Sequence, residues 1–409
     1  MPARSPASEV ITSTPQQEIS RIAELRAVHQ AFHYLHNQEM EFRRWQMELA
    51  QVPAPPFGEA ARGDWLRQRF SNLGLYHVDT DELGNVFARL YEGSPEPLVG
   101  VSAHLDTVFP PGTVLSAREE GNKLYGPGIS DNAAGVVAML AVASALRQAE
   151  LRLAANVVFI GNVGEEGEGN LRGMRHIFAD PHWRNAISSL LVIDGAGADT
   201  YVSQALGSKR FEVTFRGPGG HSWSDFGVPN PIVLLCRALA QFSRNEVPEL
   251  PRTTFNIGVI QGGTSVNSIP ESASARVDLR SASMQELEKL EVALREAVKA
   301  AGSTDSGEQK ISVQIEAIGD RPAATLVPEA RILQVIRAVD AHLGIKSVPR
   351  LASTDANIPL SLGKEAITIG SGGDGGGAHT MREWFDCMHR DLGLKRILLA
   401  LLALVGVNE

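Results

Sequence analysis

Residues 97–106 read PLVGVSAHLD, residues 133–149 read AAGVVAMLAVASALRQA, and residues 156–163 read NVVFIGNV. The first and third are short apolar runs, too continuous to alternate, and they read as strands buried on both faces. The middle run is too long for a strand and follows the polar pair Asp131-Asn132, which marks the start of a buried helix. A further strand, SLLVIDG, lies at 189–195. Strands alternating with helices in this way define an α/β layer fold around a largely buried sheet.

Upstream of this block, YHVDTD (76–81) and NVFARLY (85–91) are strand-like, and residues 59–72 are helical. A long helical pattern covers about 17–49 and is ended by VPAPPFGE, whose prolines cannot continue a helix. Residues 1–16, rich in Ser, Thr and Pro, read as disordered. Downstream the pattern changes after about Gly207. KRFEVTFRG (209–217), TTFNIGVIQGG (253–263), ASARVDLRS (273–281) and KISVQIEAI (310–318) read as strands, with helices at 230–244 and 283–301. The order β-α-β-β-α-β is that of a ferredoxin-like unit. After Pro322 helix and strand alternate again to the C-terminus. The expected organisation is therefore an α/β domain in two segments, 17–206 and 323–409, with an α+β domain, 207–322, inserted.

Composition narrows the function. Of 409 residues, 43% are hydrophobic and 21% charged, a normal globular balance with room for two or three domains. The net charge of −9 argues against a nucleic-acid groove. Cys236 and Cys387 make neither a disulfide framework nor a Cys-rich zinc site. The N-terminus lacks the apolar core of a signal peptide, and ILLALLALVGV (397–407) is too short to span a bilayer. A cytoplasmic protein with no membrane or nucleic-acid partner is expected.

The chemistry sits at strand ends and in the loops after them, where open α/β sheets place their sites. His104 and Asp106 are two apart in a strand and face the same way, so His104 can bind a metal while Asp106 holds its other ring nitrogen. In GPGISDN (126–132), Asp131 precedes the helix, where an N-cap is the ordinary role of an Asp. Glu165 and Glu166 lie side by side between glycines after a strand. Their mutual repulsion makes a solvated loop the only cheap structural account. Asp194 closes a buried strand, where a turn residue is common. His379 follows a glycine run in GGDGGGAH that lacks the spacing of a phosphate loop. Two imidazoles and three carboxylates suit zinc, with cobalt or manganese as substitutes. Five ligands exceed one tetrahedral zinc and suffice for two metals that share a bridging Asp. His29, His33 and His36 fall on one helix face but outside this cluster.

In order and spacing, His104-Leu105-Asp106, GPGISDN, Glu165-Glu166, Asp194 and His379 resemble the zinc exopeptidase and deacylase family of peptidase T, acetylornithine deacetylase, carboxypeptidase G and aminoacylase. The likeness runs from about Arg43 to the C-terminus. It implies a catalytic α/β domain with mixed sheet and a ferredoxin-like lid used for dimerisation. It also implies a bridging Asp131 followed by a cis peptide bond, with His104 and Asp194 completing one zinc site and Glu166 and His379 the other. Glu165 takes the role of general base and Asp106 that of orienting residue. His221, in Gly219-Gly220-His221-Ser222, resembles a lid histidine that reaches the substrate carbonyl. Asn267 and Arg280 resemble lid residues that bind substrate polar groups. Asp at 194 and the segment STDAN (353–357) place the chain on the peptidase T side, so cleavage of short peptides is the expected activity. A deacylase of N-acyl amino acids, and a homologue that keeps metal without catalysis, are the alternatives. The N-terminal helical stretch has no counterpart in the resemblance.

Overall fold

The computed structural model describes residues 14–93, 96–303 and 311–408. A nine-stranded mixed sheet forms its centre. Strand Leu98–His104 lies between Val157–Asn162 and Ile187–Ile193 and runs parallel to both, and Glu365–Ile369 continues in parallel beyond Ile187–Ile193. Every residue of Leu98–His104 and Val157–Asn162 is buried, as their mostly apolar pattern without polar alternation requires. Antiparallel strands Val86–Arg89 and Tyr76–Thr80 finish one edge, and Thr200–Ala205 lies beyond Glu365–Ile369 at the other.

Helix Ala133–Gln148 is buried from Ala133 through Leu146, so its apolar surface is covered all round. It packs on Leu98–His104 and on helices Arg26–Asn37, Glu39–Ala50 and Arg390–Val405. Gly135 lets this helix start close against the neighbouring strand. A Cβ there would lie 2.1 Å from Asn132 Oδ1 and 2.6 Å from the Ile193 carbonyl.

The N-terminal stretch differs from the expected single helix. It forms Pro15–Glu24, Arg26–Asn37 and Glu39–Ala50, with breaks at Leu25 and Gln38. Neither break carries Gly or Pro. The first helix turns its apolar face to Arg331–Leu343 and Arg390–Val405, while the next two face Ala133–Gln148. Residues 14–16, expected to be disordered, instead open the first helix: Thr14 and Gln17 form a reciprocal capping box. Residues 1–13 lie outside the described part.

Four strands build a second sheet, ordered Thr253–Gly262, Ser272–Ser281, Gly207–Arg216, Ser312–Arg321, with every pairing antiparallel. Helices Pro231–Phe242 and Met284–Ser303 cover one face. Phe211, Val213, Phe215, Ala275, Val277 and Leu279 alternate into this separate core, and the intervening Arg210, Glu212, Arg276, Asp278 and Arg280 face the other way.

Arg396 and Asp340 tie the terminal helix to Arg331–Leu343 beneath the main sheet. Arg396 donates from Nε and Nη2 to the two Asp340 oxygens at 2.6 and 2.8 Å, and from Nη1 to the Thr200 carbonyl at 2.9 Å. Both residues are buried. Asp340→Ala leaves a buried guanidinium without its counter-charge and is expected to cost about 3–5 kcal/mol, read from urea unfolding. A loss below about 1 kcal/mol would show that water reaches the pair.

Candidate metal centre and catalytic cleft

Three adjacent parallel strands deliver the first components. His104 is the last residue of its strand, Glu165 and Glu166 follow Val157–Asn162, and Asp194 follows Ile187–Ile193. Asp131 comes from the loop before helix Ala133–Gln148, and His379 from the glycine-rich loop after Glu365–Ile369. Asp131 is not the helix cap. Asn132 takes that role, accepting from Gly135 N–H at 3.0 Å and Gly195 N–H at 3.2 Å and donating to the Ile193 carbonyl at 2.9 Å. The Asp131–Asn132 peptide is cis. With Asn132 capping the helix, the Asp131 carboxylate faces the cluster.

Its two oxygens go to different histidines. Oδ1 lies 3.0 Å from His104 Nε2, and Oδ2 lies 3.2 Å from His379 Nε2. Asp194 Oδ1 stands 3.6 Å from His104 Nε2, and Glu166 Oε1 stands 3.0 Å from His379 Nε2. Two triads result, His104/Asp131/Asp194 and Asp131/Glu166/His379, each with ligand atoms within 4.8 Å of one another. His104, Glu165 and Glu166 form a third group of the same reach. Among the described residues, His29, His33 and His36 join no such group.

A second set of side chains bonds to the cluster and its loops. His104 Nδ1 donates to the main-chain carbonyl of Asp106 at 3.1 Å, with the Asp106 carboxylate at 3.6 Å, leaving Nε2 for a metal. The Asp106 carboxylate also accepts from the Glu165 and Glu166 N–H groups at 3.0 and 2.7 Å, so it sets the Glu-Glu loop as well as the imidazole. Glu383, absent from the sequence reading, accepts from the N–H groups of Gly128, Ser130 and Asp131 at 2.8, 2.8 and 2.7 Å. Gln46 donates to the Ile129 carbonyl of that loop at 2.6 Å and accepts from Arg390 at 2.6 Å, so the N-terminal helices brace it from behind. Buried Arg62 donates to the Leu105 carbonyl at 3.1 Å. Glu383 stands four residues past His379 in an irregular loop, and Gln46 sits in a helix far upstream. Neither position carries a periodicity or motif that marks it.

Glu165 is buried at the edge of the cavity over the cluster. Arg321, at the end of Ser312–Arg321, donates from Nη1 to Glu165 Oε1 at 3.0 Å and to Ser353 Oγ at 3.2 Å, and from Nη2 to the Glu165 carbonyl. Asp355, in the STDAN segment, is buried beside them and accepts from Asn162 at 2.6 Å. Nothing in the sequence marks Arg321, because a strand-terminal Arg looks like an ordinary surface residue, and the STDAN segment carries a resemblance without assigning Asp355 a place beside Glu165. The cavity over the cluster, about 540 Å³, is lined by Asp131, Glu165, Glu166, Asp194 and His379, with Arg210, Arg280 and Arg321 on the side of the second sheet. His221 and Asn267 do not line it. They lie exposed on the short strand pair Gly220–His221 and Ser268–Ile269 and the turn beside it, where His221 Nδ1 accepts from Trp223 N–H at 3.2 Å.

Burial and crowding raise the proton affinity of the cluster. Burial raises Glu165 well above the ordinary carboxylate range, and burial together with Asp131 lifts Glu166 to about 7. Asp131 holds His379 protonated up to about 9. Against the cost of its burial, His104 is also raised, by Asp106, Asp131 and Asp194. Four carboxylates crowded around two imidazoles, with one carboxylate divided between both, fit a pair of divalent cations in place of those protons. Folding of the metal-free chain takes up protons at Glu166 between the ordinary 4.5 and about 7, and at His379 between 6.5 and about 9, so these groups lose stabilising effect as pH rises through that range. Cations displace the protons, so the rise in melting temperature on adding zinc should grow as pH rises through about 7. A shift that is flat or falls from about pH 5.5 to about pH 8.5 would contradict this.

The fold and cluster together describe an α/β scaffold whose strand ends gather side chains able to hold a pair of cations. The chain belongs to peptidase family M20/M25/M40, whose model matches residues 100–403. A probable carboxypeptidase of Ajellomyces capsulatus is 30% identical over 229 residues, 49% of this chain and 49% of that protein, so the chain spans about half the length of the curated relatives it matches first. The aminopeptidase PepT of Bacillus cereus shares the fold with a TM-score of 0.72 at 19% identity, covering 90% of this chain and 99% of that one. The YXEP protein of Bacillus subtilis, described as a dinuclear metal-binding peptidase, does so with a TM-score of 0.67 at 15% identity, covering 90% and 99%. No helix among the described residues is long and apolar enough to cross a membrane.

Proposed function

We propose that the chain is a metallopeptidase that cleaves short peptides, with two divalent cations, zinc first among them, as cofactors. The observation that carries this reading is Asp131, whose separate oxygens reach His104 at 3.0 Å and His379 at 3.2 Å. His104 and Asp194 complete the holding of one cation, Glu166 and His379 that of the other. Bound there, the cations supply Lewis-acid polarisation of the substrate carbonyl and lower the pKa of water towards neutrality.

The chain's own groups do the rest. Glu165 takes the proton of the attacking water and returns it to the leaving amine. Its burial suits that task, because a carboxyl raised by burial is a better proton shuttle near neutral pH. Arg321 and Asp106 fix the Glu165 side chain and main chain. Arg280, on the cavity wall, pairs with the α-carboxylate of a short substrate. His221 and Asn267 stand outside the cavity of a single chain. We assign them to the oxyanion and to substrate polar groups once residues 207–322, acting as lid and dimerisation unit, close or bring in a second copy. Two free thiols, Cys236 and Cys387, fit the reducing cytoplasm.

The test is hydrolysis of a di- and tripeptide set beside N-acetyl amino acids by the full chain loaded with zinc, cobalt or manganese. The reading expects peptides to be cleaved in preference. Preference for the acyl amino acids would make the chain a deacylase, and no cleavage of either with metal bound would overturn the catalytic reading.

A further inference from the structure

We propose that Arg210 forms, with Arg280, a two-guanidinium subsite that selects substrates whose C-terminal residue carries a second carboxylate, aspartate or glutamate. This rests on the peptidase reading and names its substrate class. Arg210 lies directly opposite Asp278 in the second sheet, and Arg280 is two residues along from Asp278, so all three face the same side. Asp278 holds both cations: its Oδ1 accepts from Arg210 Nε at 3.1 Å and its Oδ2 from Arg280 Nε at 2.7 Å. One carboxylate between two guanidiniums leaves a positive charge unmatched.

The hydrogen-bond pattern leaves guanidinium donors free on the cavity side of the sheet. Both arginines bind Asp278 through Nε. Both terminal nitrogens of Arg280 and the Nη2 of Arg210 donate to no protein acceptor among the described residues, while Arg210 Nη1 reaches the Gly167 carbonyl at 3.4 Å. That carbonyl follows Glu166, so Arg210 stands beside the metal-ligand loop. Both arginines line the cavity over the cluster, and Arg210 also borders the adjoining groove between Phe57 and Arg276. An α-carboxylate occupies one guanidinium edge. With Arg280 so engaged, Arg210 remains for an acidic side chain, and a neutral or basic side chain leaves its charge unmatched. Because Asp278 fixes both forks before the ligand arrives, little ordering is required on binding.

The experiment compares kcat/KM for Ala-Glu and Ala-Gln, near-isosteres that differ in charge, using the zinc-loaded full chain and its Arg210→Met and Arg210→Lys variants. The wild type should favour Ala-Glu by roughly tenfold to a hundredfold, the range of one charge-assisted contact. Arg210→Met should bring the ratio close to one, and Arg210→Lys should retain part of it. A wild-type ratio near one, or an Arg210→Met change that lowers both peptides by the same factor, overturns the proposal and leaves the peptidase reading standing. If the loaded chain cleaves no peptide, the peptidase reading has failed, and calorimetric titration with free glutamate and glutamine decides the subsite. Tighter glutamate binding that Arg210→Met abolishes supports it, and equal binding of the two by the wild type refutes it.

Discussion

Glu165→Gln, with its cations retained, should hydrolyse a dipeptide about a hundredfold to ten-thousandfold more slowly than the wild type, the range for loss of a general base. The geometry makes the conservative variant the informative one. Arg321 donates to Glu165 Oε1 at 3.0 Å and both side chains are buried. Glu165→Ala would strand that guanidinium and mix a folding defect with the catalytic one. Gln keeps the shape and an oxygen for Arg321 but cannot carry the proton. Glu165 is absent from the two triads that share Asp131, so metal content should stay at the wild-type value. Turnover within about threefold of wild type, with metal intact, would remove Glu165 from the reaction.

Asp131→Ala should have the larger effect on binding. The same side chain faces both histidines, so its loss removes one carboxylate from each triad. Zinc measured by atomic emission after dialysis should fall from two per chain towards zero, and turnover with it. An Asp194→Ala variant should weaken chiefly one cation, because Asp194 belongs to one triad alone. If Asp131→Ala still retained two tightly bound ions, sharing through this residue would be wrong.

How far the sequence reached depends on the kind of signal. The strands at 98–104 and 157–162 are legible because burial on both faces forces a mostly apolar run without polar alternation. His104, Asp131, Glu166, Asp194 and His379 are legible because donors in that order match a known family pattern, and the structure brings all five together. The breaks at Leu25 and Gln38 are not legible, since they come from the packing partners of each helix and no local residue dictates them. Glu383 and Gln46 act on main-chain atoms of the Asp131 loop, and a residue that bonds to backbone leaves no complementary residue type to find. Arg321 and Arg210 reach the cavity because the second sheet meets it there, which is a tertiary fact. His221 and Asn267 show the converse: a recognisable motif that one chain, by itself, holds away from the cavity.

The most direct test of the shared centre is anomalous diffraction from crystals of the zinc-loaded protein, recorded on either side of the zinc edge. Two peaks should appear, one beside His104 and Asp194 and the other beside Glu166 and His379, with the Asp131 carboxylate between them. A single peak, or two that leave Asp131 without contact to either, would contradict the account.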